Sequence, residues 1–237
     1  MKFNLVRLSA IALLLCFSAQ VNAETLTSVF SAQVEEDEID AFSGDVDQAF
    51  FNVQGDDDQF TVYSFADFDT AGIGAVSDIA GLSMDLAQSN AAFSADGALE
   101  FFLATDTRVV DLNDTARYIT DGDNVGSEVV GSAFGTLYSL GSGTYTVTNT
   151  ADVDTFNFTL DSAGKAFAIS QINSGGLLRI IATPGDLGVQ ATYSGAGSIL
   201  DPVAPPVLNF TTTAVPEPSS AAVLGLIAFA GFCRRRR

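Results

Sequence analysis

The chain has 237 residues, 47% of them hydrophobic and 10% aromatic, which is enough to bury the core of one domain or at most two and argues against disorder as the main state. It holds no His, no Trp and two Cys, so histidine-based catalysis, His-ligated haem and Cys/His zinc sites are excluded. Ten Lys and Arg face 29 Asp and Glu, a formal net charge of −19 that repels phosphate backbones and argues against a nucleic-acid partner.

Residues 1–23 read as a secretory signal peptide. Lys2 and Arg7 precede the apolar run Leu8 to Phe17, and Val21-Asn22-Ala23 places small residues where a signal peptidase reads them. Cleavage is expected between Ala23 and Glu24. Cys16 follows three leucines rather than the small residues that precede a lipidated cysteine, so lipidation is not expected.

The body, residues 24–213, shows a hydrophobic period of two. In chain order the strand candidates are 49–53, 60–63, 82–86, 99–104, 128–140, 143–148, 154–160, the pair Phe167 and Ile169, 177–183, 189–193 and 207–211. The clearest is Asp154 to Leu160, which alternates Phe156, Phe158 and Leu160 with Thr155, Asn157 and Thr159, and which reads as a central strand with the Phe face inward. Clusters such as Asp96-Gly97, Gly141-Ser142-Gly143 and Ser174-Gly175-Gly176 separate the candidates as turns. No segment reads as an amphipathic helix and no fixed repeat appears. The expected fold is therefore all-β, a two-sheet antiparallel sandwich of jelly-roll type. Up to Glu217 the exported part holds all 29 acids, opposed by Arg108, Arg117, Lys165 and Arg179 alone, a balance of −25, and it contains no cysteine.

Residues 214–237 change character. Pro216-Glu217-Pro218 leads into an apolar run ending at Cys233, followed by Arg234, Arg235, Arg236 and Arg237. From Pro218 the run is 16 residues, about 24 Å as a helix, shorter than the roughly 30 Å hydrocarbon core but extended by snorkelling arginines. A short C-terminal membrane helix with its Arg cluster cytoplasmic puts the body across the membrane, in agreement with the signal peptide.

This tripartite tail resembles the PEP-CTERM sorting signal of Gram-negative bacteria. The resemblance implies an exosortase substrate, held transiently in the inner membrane and processed near Pro216, Glu217 and Pro218, after which the body reaches the cell surface or the extracellular space. Signal peptidase and exosortase are the implied processing partners, with exopolysaccharide as an implied neighbour. Residues 45–110, including Phe50-Phe51-Asn52-Val53 and Phe93 to Phe102, look like a recurrent ectodomain of PEP-CTERM proteins, which adds no activity.

Chemistry is sparse. No nucleophile elbow, phosphate loop or metalloprotease motif occurs, and the many carboxylates single out no acid/base pair, so no enzyme activity is expected. Calcium is the one cofactor the composition admits. Acidic stretches lie at Glu35 to Asp40, at Asp56, Asp57 and Asp58, and at Asp121 and Asp123 beside Asn124, where turn carboxylates and carbonyls supply oxygen ligands. Asp67 to Gly72 and Asp121 to Gly126 carry Asp at loop positions 1 and 3 and Gly at 6 but lack the oxygen at 5 and Glu at 12, so neither is an EF-hand. The rival to a non-enzymatic surface protein is a calcium-assisted carbohydrate-binding module, with Tyr63, Tyr118, Tyr138, Tyr145 and Tyr193 as the sugar contacts to consider.

Overall fold

A computed structural model describes residues 21–35, 38–40, 50–55, 61–89, 94–109, 125–197 and 203–215. Two antiparallel sheets face each other. The smaller has the order β1-β12-β6-β9, formed by Val21–Thr27 (β1), Val207–Ala214 (β12), Val76–Ala87 (β6) and Val153–Phe158 (β9). The larger runs β11-β4-β5-β10-β7-β8, built from Gln190–Ala191, Val53–Gln54, Val62–Asp69, Leu177–Pro184, Gly97–Ala104 and Leu137–Tyr145; Phe30–Glu35 (β2) adds to β5 and carries Glu38–Asp40 (β3). The chain passes between sheets from β5 to β6, back at β7, and again at β9, so the sandwich is a jelly-roll-like crossing fold, as its strand pattern predicts.

Period-two alternation builds the small sheet. On β9, Phe156 is buried while Thr155 and Asn157 are exposed, and its neighbours Met84, Leu208 and Phe210 point into the same layer. β9 is nevertheless the edge of this sheet and not a central strand, because among the described residues β6 is its one partner there. Across the layer stand Leu99, Phe101, Leu103, Phe68 and Ile180 of the large sheet, which with these residues form the principal core.

The large sheet is buried on both faces. Val62 to Phe68 of β5 and Leu178 to Pro184 of β10 are buried without a break. Their second face meets Ala32 and Val34 of β2 together with Val129, Val130 and Phe134 from the segment after residue 125. That segment holds two 3-10 turns, Gly126–Val129 and Ser132–Phe134, where an unbroken strand was expected over 128–140. Positive φ at Gly126 and Gly135 turns the chain at both ends, and the apolar side chains between them form a lid on the sheet.

The pair Phe167 and Ile169 belongs to a helix, Ser162–Ser174 (α1), and not to a strand. Asp161 caps its start by accepting from the Gly164 N–H at 2.7 Å, and Gly175, in the left-handed region, ends it while the Gly176 N–H returns to the Gln171 carbonyl at 2.9 Å. The buried face is the narrow row Gly164, Ala168 and Ile172. Asn173 fixes the last turn to β6, accepting from the Val76 N–H at 2.7 Å and donating to its carbonyl at 3.0 Å.

Candidate functional site

The proposed calcium ligands Asp56, Asp57, Asp58, Asp121 and Asp123 lie outside the described residues. Of the acidic positions within them, Asp67 is not a loop ligand at all. It sits in β5, 4% exposed, and its two carboxylate oxygens accept from Arg179 Nε and Nη2 at 2.7 Å each. Arg179, 2% exposed, donates its remaining Nη1 to the Asp106 and Arg108 carbonyls at 3.2 Å and lies over the rings of Phe65 and Phe134. Burial pushes the Asp67 carboxyl above the usual carboxylate range, against the pull of the guanidinium. This is a buried pair that ties β5 to β10 and to the loop after β7.

Other carboxylates are engaged locally. Lys165 lowers the Asp78 carboxyl through a 3.0 Å bond, Arg108 lowers that of Asp106, and the Asn149 backbone and side chain lower that of Asp152. On the outer face of the small sheet, Thr25 donates to Asn209 at 2.9 Å, Asn209 to Asp85 at 2.8 Å and Thr155 to Asp85 at 2.7 Å, a chain across all four strands. Among the described residues no three metal-ligating side chains gather.

The described tyrosines offer no sugar platform. Tyr63, Tyr145 and Tyr193 are fully buried, Tyr138 packs against Phe167, and Tyr118 lies outside the described residues. Tyr193 donates at 2.8 Å to Asp154, which also accepts from Gln88, and burial followed by that carboxylate pushes its hydroxyl far above the ordinary phenol range. No aromatic ring among the described residues is exposed. A cleft of about 180 Å³ opens between Ile79 to Leu82, Phe158 to Leu160 and Lys165. It is smaller than the roughly 300–1,000 Å³ of small-molecule sites, and its one ring, Phe158, is already packed on Phe101 at 5.0 Å.

The first strand holds the predicted cleavage positions. Ala23 and Glu24 lie inside β1, facing Thr211 and Phe210 of β12, and the pairing continues to Val21 opposite Thr213. The two ends of the body thus leave the sandwich side by side, Val21 towards residues 1–20 and Ala214 towards the tail. Pro216, Glu217, Pro218 and Arg234 to Arg237 are outside the described residues, as is the apolar run between them. Among the described residues no helix is long and apolar enough to cross a membrane.

No curated protein matches the chain. Among solved structures, one reported as "Structural basis for the promiscuous specificity of the carbohydrate-binding modules from the beta-sandwich super family" matches with 10% identity and a TM-score of 0.24, over 84% of this chain. The chain spans 57% of the length of that one. The family model of the PEP-CTERM protein-sorting motif matches residues 214–237, which begin at the last residue of β12. Residues 214–237 therefore carry a PEP-CTERM protein-sorting motif.

Proposed function

We propose that the protein is a non-enzymatic surface or extracellular-matrix component, whose sandwich is the cargo and whose two ends are its delivery apparatus. Signal peptidase removes residues 1–23, the tail holds the body at the inner membrane, and an exosortase releases it near Pro216-Glu217-Pro218 to the cell surface. The observation that carries this reading is the sorting motif at 214–237. The strand register supports it, since Val21 opposite Thr213 lets both apolar segments reach one membrane from one end of the body. The calcium-assisted carbohydrate module finds no sugar platform among the described tyrosines, which are buried or packed.

Fractionation tests the reading. In cells with the exosortase, the processed body is expected at the surface or in the medium; without it, the tail-bearing chain stays with the inner membrane. Equal surface delivery in both strains contradicts it.

A further inference from the structure

The two sheets finish their edges differently. On the large sheet β11 is two residues long, β3 is three, and β8 carries a bulge where Phe101 faces Gly141 and Phe102 faces Ser139. Short strands and bulges blunt a sheet edge against further pairing. The small sheet has neither device. Among the described residues β1, seven residues long, pairs with β12 alone and β9, six residues long, with β6 alone, and both ladders run without a register shift. Neither strand holds Pro, Lys or Arg. Each therefore offers a flat row of backbone N–H and C=O groups, which an extended segment of another chain completes.

We propose that this segment is β1 of a second copy of the chain, laid beside β9, so that molecules join head to tail through the small sheet. Strand direction sets the fit. Three antiparallel steps separate β1 from β9, so the two edges run opposite ways, and a second copy in the same orientation brings its β1 antiparallel to β9. Faces set the register. Thr25 and Thr27 lie exposed on the outer face with Thr155 and Asn157, while Leu26 and Phe156 belong to the core layer. Setting Leu26 opposite Phe156 places Thr25 opposite Asn157, Thr27 opposite Thr155 and Glu24 opposite Phe158, so both faces continue across the joint. The two edge carboxylates stay apart, because Asp154 lies beyond these four pairs and is held by Tyr193 and Gln88. The outer hydrogen-bonded row, which runs from Thr25 through Asn209 and Asp85 to Thr155, there meets Thr27 of the next copy. One edge meeting a different edge is a head-to-tail contact, which adds further copies instead of stopping at a dimer. The joint uses Glu24–Thr27 alone, so it goes beyond the export reading and does not rest on where the leader is cut.

The test uses the full 237-residue chain in detergent, with Cys16→Ser and Cys233→Ser, to which Thr25→Cys and Asn157→Cys are added before oxidation with glutathione disulfide. Within one molecule these positions stand three strand spacings apart, about 14 Å, beyond the ~7 Å that a disulfide spans between Cα atoms, so any bridge joins two copies. Thr25→Cys with Ser132→Cys, an exposed position on the lid of the large sheet, reads chance contact between chains that share a micelle. The expected result is a ladder of dimers, trimers and longer species on a non-reducing gel, on the order of tenfold above the control pair, and dimers alone when the two single variants are mixed. A yield no higher than the control overturns the proposal. So do dimers of Asn157→Cys by itself above that level, since they mean that like edges meet. A double variant whose reduced form melts well below wild type is replaced by Thr27→Cys with Thr155→Cys, the next pair on the same face, and the same outcomes decide.

Discussion

The two sheets solve the same burial problem in different ways. The small sheet has one dry and one wet face, so its strands alternate, and its outer side carries hydroxyls, amides and the Asp85 carboxylate in a continuous hydrogen-bonded row. The large sheet is dry on both sides along β5 and β10, and there it buries a charge pair. The difference teaches where this body tolerates change. Polar substitutions on the small sheet's outer face meet water, whereas along β5 successive residues alternate between two cores and neither direction is free.

The largest expected effect breaks the large sheet at its charge pair. Arg179→Met leaves Asp67 buried without its counter-charge and is expected to cost about 3–5 kcal/mol in urea unfolding, while adding Asp67→Leu restores much of the loss. Additive losses in the double variant contradict a mutually compensated pair. Asp67 also predicts a pH signature. Because burial raises its folded-state pKa above the unfolded value of 3.8, the folded chain takes up this proton first, and its contribution to stability grows as pH falls through the raised value towards 3.8. Wild type should therefore gain on Asp67→Asn between pH 7 and pH 4. A gap that narrows on acidification contradicts the direction.

The next comparison sets one face against two. Phe65→Ala and Phe101→Ala, each in a different core, are both expected to cost about 3–5 kcal/mol, and so is Phe156→Ala on the small sheet. Thr155→Ala, beside Phe156 but on the wet face, should cost about 1 kcal/mol or less. Equal denaturant midpoints for Phe156→Ala and Thr155→Ala would show that the small sheet is not one-sided.

The smallest effect concerns the acidic loops. At fixed ionic strength, millimolar calcium should not raise the melting temperature beyond what matched sodium chloride achieves by screening the body's like charges. A rise reversed by EGTA and not reproduced by magnesium contradicts this and directs mutation to Asp56 to Asp58 and to Asp121 and Asp123.

The same contrast governs what the residues reveal before folding. Phe156 against Thr155 is legible because a one-sided strand writes its geometry as alternation. Strand candidates 99–104, 177–183 and 207–211 likewise fall on β7, β10 and β12. Helix α1 escapes the period because its buried row, Gly164, Ala168 and Ile172, contains one large side chain, while Phe167 and Ile169 imitate a strand by flanking it. Its usable signals are the caps, Asp161 ahead and Gly175-Gly176 behind. Val129, Val130 and Phe134 read as a strand because burial alone does not distinguish a strand from a lid; the glycines at 126 and 135 mark the difference. The site reading suffers most where partners are distant. Nothing adjacent to Asp67 reveals that Arg179, 112 positions away, takes both its oxygens. Tyrosine spacing similarly gives no account of which hydroxyls the sandwich encloses. The sorting motif at 214–237 is legible because it is a linear signal, read from order and composition without any fold.

Mass spectrometry of the protein taken from the native cell surface tests the central claim most directly. Delivery through both ends predicts an N-terminus at Glu24 and a C-terminus that lacks Arg234 to Arg237. An intact Arg237 on surface protein, or an N-terminus that retains residues 1–23, contradicts it.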